Sequence, residues 1–211
     1  MGSEPTSYTT RDTGFVGSGE TRRKLLDGAA RAIEQHGLTD LRVGHILECA
    51  GLSRRTLYLY FESKDEVLLA LYEGVVTDLA DRIRDAVDGA EDSRDQLFAG
   101  TDAYLDFQME GGRLVTLLQA EAAKPDSLMN PTREATIDAL VRLIQNGVAD
   151  LGLDPIDPLA YRVFFVAIEG LVIRARNGGE LQQEARDRIA GVIKPLFLRL
   201  LTGLQYFPPA P

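Results

Sequence analysis

The chain has 211 residues, 45% of them hydrophobic, enough for one large domain or two small ones with a genuine core. A single cysteine, Cys49, and two histidines, His36 and His45, exclude an internal disulfide and give no metal-ligand spacing, so we expect no metal and no cofactor. No stretch approaches the roughly 18 apolar residues of a membrane span and the N-terminus lacks an apolar signal core, so the expected setting is cytoplasmic with no membrane partner.

The net charge of −9 is unevenly spread. Residues 19–65 hold 8 Lys/Arg against 7 Asp/Glu, whereas residues 66–211 hold 14 against 23. The acidity therefore belongs to the C-terminal two-thirds, and the basic groups that phosphate binding requires are local to the N-terminal part.

Residues 1–18 are rich in Ser, Thr and Gly without apolar period and read as a disordered tail. From Glu20, the apolar positions Leu25, Leu26, Ala29, Ala30 and Ile33 recur at helical spacing until His36-Gly37 stops the helix. A second, shorter helix runs over 43–50, with Val43, Ile46, Leu47 and Ala50 inward and Gly51 as a left-handed cap. His45 reads as a surface or capping residue and Cys49 as a small packed side chain. A third helix starts at the N-cap Ser53 and places Leu57 and Phe61 one turn apart. Three short helices with a tight Gly-containing turn before the last form a helix-turn-helix, here assigned to residues 19–65.

Beyond it, helical segments are expected at about 64–88, 93–109, 113–122, 132–151, 157–176 and 182–203, separated by Gly111-Gly112, Pro125, Pro131, Pro155, Pro158 and Gly178-Gly179. The predicted class is all-α with about nine helices: a head, a helical body over 66–205, and a tail over 206–211. The helix from Asp157 is apolar nearly all round and must be covered on several sides. The last helix carries a stripe from Ala185 to Leu204 with Pro195 as a kink. Candidate interface positions on these two helices are Phe164, Ala167, Leu171, Ile189, Val192, Leu196 and Leu200. Glu169 lies among apolar neighbours and needs water, another helix or a ligand. With Tyr104, Phe107, Gln108, Arg113, Glu121 and Phe165 it forms a candidate lining for a largely apolar small molecule.

With Leu57 and Phe61 inward, Arg55 and Leu59 point most nearly outward, flanked by Thr56 and Tyr58, with Arg54 and Tyr60 at the boundary. Such a face suits the major groove: guanidinium pairs with guanine edges, Thr or Leu touches thymine methyls, and Tyr hydroxyls hold phosphates. Ser53 at the helix start and Lys64 just past its end are expected beside the phosphate backbone.

The stretch from Ala50 to Leu68, Ala-Gly-Leu-Ser-Arg-Arg-Thr-Leu-Tyr-Leu-Tyr-Phe-Glu-Ser-Lys-Asp-Glu-Val-Leu, resembles the signature of the TetR (tetracycline-repressor) family. That signature runs from Ala-Gly-Val-Ser through Thr-Leu-Tyr-x-Tyr-Phe to Ser-Lys-x-x-Leu. The likeness covers residues 20–68; the rest agrees in length and helix order. It implies that Arg54, Arg55, Thr56, Tyr58, Leu59, Tyr60 and Lys64 approach DNA. It also implies that the last two helices pair with those of a second copy as a four-helix interface, giving a homodimer on a palindromic operator. Two departures stand out. Arg42-Val43 replaces the usual Ser or Thr cap of the second helix, and Gly44 stands at a position that often reaches DNA, leaving Arg42 to serve phosphate. The expected function is a transcriptional repressor released from double-stranded DNA by a small-molecule effector. The alternative is a DNA-binding protein controlled by a protein partner, or one that organises the chromosome. No nucleophile-base or metal-ligand spacing supports an enzyme, and no catalytic residue is assigned.

Overall fold

The computed structural model describes residues 18–203 except 151, 155 and 177–180. The expectations for the two tails, apart from Ser18, and for Pro155, Gly178-Gly179 and Leu204 fall outside the described residues. Ser18 itself opens the first helix rather than closing a tail.

All regular structure among the described residues is helical. The order is α1 (Ser18–His36), α2 (Val43–Ala50), α3 (Arg54–Tyr58), α4 (Lys64–Asp88), α5 (Ser93–Glu110), α6 (Gly112–Ala122), α7 (Asn130–Asp150), α8 (Pro158–Arg176) and α9 (Gln183–Gly203). The helix ends follow local chemistry. Gly51 adopts φ 66°, its N–H meeting the Glu48 carbonyl while the Leu52 N–H reaches Leu47, a left-handed exit that a Cβ would strain. The Ser63 hydroxyl accepts from the Glu66 N–H while the Glu66 carboxylate accepts from the Glu62 N–H, closing the start of α4 from both sides. Asp92 caps α5 by accepting from the Asp95 N–H. Asp157 accepts from the Leu159 N–H, with Pro158 at the first helical position, where its missing N–H costs nothing.

Two compact units emerge. One holds the described residues up to Asp78 together with Arg113–Arg133; the other holds Leu79–Gly112 and the described residues from Glu134 onward. The single helix α4 contributes to both. In the first unit Leu25, Ile33, Ile46, Leu57 and Leu118 are completely buried, each contributing about 1.5–3 kcal/mol by leaving water. There α1 and α2 approach closely: a Cβ added at Gly28 would stand 2.6 Å from the Ala50 Cβ and 2.8 Å from its backbone. In the second unit Leu105, Phe107, Tyr161, Ile168, Ile193 and Phe197 form the core. Phe164 of α8 stacks on Phe197 of α9 at 3.9 Å between ring centroids. Polar clamps join α5 to α9: Arg186 meets Asp102 at 3.0 Å and Asp106 at 2.7 Å, and Lys194 pairs with Asp102.

Candidate nucleic-acid interface and body cavity

The reading face is set by what α3 must bury. Leu57 and Phe61 go inward at 0% and 3% exposure, and Arg22 of α1 lays its guanidinium over the Phe61 ring at 5.3 Å. With that side fixed, Arg54, Arg55, Tyr58 and Leu59 stand exposed, Leu59 at 74%. Together they turn two cationic groups, a phenol and an apolar side chain toward solvent on one short helix. Ser53, Arg42 and Gly44 are also exposed, while Thr56 and Tyr60 are half-buried. Thr56 is turned toward the cap: its N–H donates to Ser53 Oγ at 3.1 Å and the two hydroxyls lie 2.8 Å apart.

The start of α2 departs from the usual capped form as its sequence indicates. Arg42 is extended at the N-cap without a side-chain cap bond, and its N–H instead donates to His45 Nδ1 at 3.4 Å. His45 stacks on His36 at 3.9 Å, joining the end of α1 to the start of α2. At the other end of α2, Arg31 donates to the Cys49 carbonyl at 2.6 Å. These contacts hold α2, and through the Gly51 turn α3, rigidly against α1.

Lys64 has a partner within the fold. Its Nζ donates to the Leu41 carbonyl at 3.1 Å, so the half-buried side chain ties α4 to the α1–α2 loop.

In the second unit, α4, α5, α7, α8 and α9 line a partly open cavity with about 70 Å³ of free space. Its walls are almost entirely apolar, with the Phe164–Phe197 stack on one side and Leu143, Ile144 and Gly147 of α7 on the other. Gln96, Thr101 and Tyr104 supply the polar atoms.

Residues 25–71 match the family model described as "Bacterial regulatory proteins, tetR family". The chain is 30% identical over 160 residues to the HTH-type transcriptional activator FasR of Mycolicibacterium smegmatis, covering 72% of this chain and 68% of that one. This chain belongs to the TetR family. It is a DNA-binding transcriptional regulator. Its fold matches that of the fatty acid degradation regulator FadR of Bacillus halodurans, with a TM-score of 0.71 and 20% identity over 93% of this chain and 100% of that one. A TetR family transcription regulator from Marinobacter aquaeolei VT8 matches with a TM-score of 0.63 and 26% identity over 83% and 94%.

Of the side chains expected to line a ligand site in this TetR-family chain, Tyr104 and Phe165 line the cavity. The other five do not, and each has a local reason. Phe107 is buried under the Arg82 guanidinium, 5.5 Å from its ring. Gln108, 1% exposed, accepts from the buried Arg176, which also donates to the Gly112 carbonyl. Arg113 donates to the Glu34 carbonyl at 2.7 Å and Glu121 pairs with Lys124 at 2.6 Å, both within the first unit. Glu169 is half-buried away from the lining.

The interface positions divide similarly. Phe164 and Ile189 turn into the body's own core. Ala167, Leu171, Val192 and Leu196 stand exposed and Leu200 half-buried, joined by the exposed Val163 and Val166. Sequence reasoning passed over Val163, Val166, Gln96 and the α7 wall. The available signal for the last was Gly147, an isolated glycine inside a helix that needs no turn there.

Proposed function

We propose that this regulator works as a homodimeric repressor in the cytoplasm, bound to a palindromic operator and released by a small, largely apolar effector taken up in the body cavity. The observation that carries the reading is the exposed set Arg54, Arg55, Tyr58 and Leu59 on a rigidly backed α3. In the major groove Arg55 pairs with a guanine edge and Leu59 meets a thymine methyl. Arg42 and Tyr58 hold phosphates, with Arg54, Ser53, Thr56 and Tyr60 at the margins and Gly44 letting the start of α2 come close.

The dimer rests on the exposed apolar faces of α8 and α9, where Val163, Val166, Leu171, Val192 and Leu196 have no role in the chain's own core. Closure against the same face of a second copy makes a self-complementary interface and sets two recognition helices about one DNA turn, or a wider multiple, apart. The bound dimer then occludes a promoter, the reverse of the sense carried by the name of the relative FasR.

An effector shifts the operator equilibrium only by its differential affinity for the two states. In this reading, filling the cavity disturbs the Phe164–Phe197 stack, which sits behind the dimer face, and the α4 residues Ile83 and Val87 that share the wall. Recovery of a palindrome by binding-site selection, followed by effector-driven loss of anisotropy on that duplex, tests the whole reading. A selected duplex without two-fold symmetry contradicts it.

A further inference from the structure

Among the described residues, the body cavity carries no lysine, arginine, histidine, aspartate or glutamate in its wall. Charged groups of the surrounding helices find partners outside that wall: Arg186 meets Asp102 and Asp106, Lys194 meets Asp102, Arg162 pairs with Glu134 and Asp138, Arg82 with Glu110, and the buried Arg176 bonds to Gln108 and the Gly112 carbonyl. An ion moved from water into this apolar, partly open space meets no counter-charge in the wall and gives up part of its solvation without return. The polar inventory is equally short. The Thr101 hydroxyl donates to the Leu97 carbonyl at 3.1 Å, Tyr104 is 8% exposed, and Gln96, half-buried in the first part of α5, brings an amide able both to donate and to accept.

Size narrows the choice further. Free space of about 70 Å³ corresponds to about five to seven water-sized groups, allowing roughly 10–15 Å³ for each. Gly147 lies on the α7 wall, where a Cβ would meet nothing within 4 Å. At Gly100, on α5, a Cβ would already stand 3.4 Å from Val87. There is therefore more room at Gly147 on α7 than between α5 and α4, where an added Cβ is already in van der Waals contact.

We propose that the cavity is selective for uncharged, slender molecules: a short alkyl body bearing one neutral hydrogen-bonding group, a hydroxyl or carbonyl, that pairs with the Gln96 amide. Carboxylate and ammonium counterparts of the same skeleton are excluded. This rests on the reading of the cavity as the effector site and adds the ligand's chemistry to it.

The test uses the full chain and four probes of one chain length, hexanol, hexanone, hexanoate and hexylammonium, at neutral pH by calorimetry and thermal shift. Hexanol and hexanone bind, at least about tenfold more tightly than either ion, because only the ions must shed a charge shell. Gln96→Leu reduces that binding, and Gly147→Val, which fills the open side of the wall, abolishes it in protein that keeps its helical spectrum and cooperative melt. Equal binding of hexanoate or hexylammonium overturns the proposal, as does failure of both neutral probes to bind the unsubstituted chain, or full binding by a folded Gly147→Val variant. Neutral probes that bind selectively yet leave operator affinity unchanged support the ligand chemistry while removing the effector reading.

Discussion

Arg113, the second residue of α6, donates from its guanidinium to the backbone carbonyl of Glu34 at 2.7 Å, reaching the last turn of α1 from 79 positions along the chain. The carbonyls of a helix's last turn have no partner within the helix and carry the negative end of its dipole, so a cation there completes both hydrogen bonding and charge. Arg113→Ala is expected to lower stability by about 1 kcal/mol in urea denaturation, the ordinary net worth of such a bond. It should leave binding of a neutral cavity ligand unaltered, since Arg113 lies outside the cavity wall.

Gly28 faces Ala50 where α1 and α2 cross, and the Cβ of any other residue would meet backbone at 2.8 Å. Alanine there gains up to about 1 kcal/mol of helix propensity but loses about 1–3 kcal/mol to overpacking. The overpacking governs, because backbone atoms of a capped helix do not yield easily. Gly28→Ala should therefore lower the melting temperature and weaken operator binding together.

Lys64 and Arg55 separate a scaffold cation from a reading cation. With its ammonium on the Leu41 carbonyl, Lys64→Met should cost about 1 kcal/mol of stability and change the salt dependence of DNA binding by less than one phosphate contact. Arg55→Ala, at an exposed position, should leave stability within about 0.5 kcal/mol and cost about 1–3 kcal/mol at particular base pairs. Chemical denaturation paired with a base-substituted operator series distinguishes them.

Leu196 is 58% exposed and Val192 57%, side by side on the outer face of α9. Leu196→Glu should leave the monomer's helical content intact and convert a dimer to a monomer in sedimentation equilibrium. Operator affinity should fall with it, because each half-site then binds alone.

Helix boundaries and the head were legible in the sequence because they rest on local rules. Period, caps and Gly51 fix α2 to the residue, and the need to bury Leu57 and Phe61 fixes which side of α3 meets solvent. The cavity was legible only in part, since a wall is built from elements far apart in the chain. Tyr104 and Phe165 share a wall, but Gly111-Gly112 ends α5 and starts a helix whose Arg113 serves α1 instead. Phe164 and Phe165 illustrate the same limit: in a helix apolar all round, periodicity does not say which apolar residue faces the core, the cavity or a second copy. The bond of Lys64 to Leu41 was not legible for a related reason, because a flexible ammonium goes to whichever acceptor the tertiary fold presents.

The central claim is that the face of α3 carrying Arg55 and Leu59 reads duplex DNA. Its most direct test is an anisotropy titration of the full chain on the selected palindrome and on a scrambled duplex of equal length, repeated with Arg55→Ala at several salt concentrations. The account predicts a preference for the palindrome of about a thousandfold or more at moderate salt, cut by about tenfold or more in the variant. Equal affinity for both duplexes, or an Arg55→Ala variant that discriminates as well as the unsubstituted chain, would contradict it.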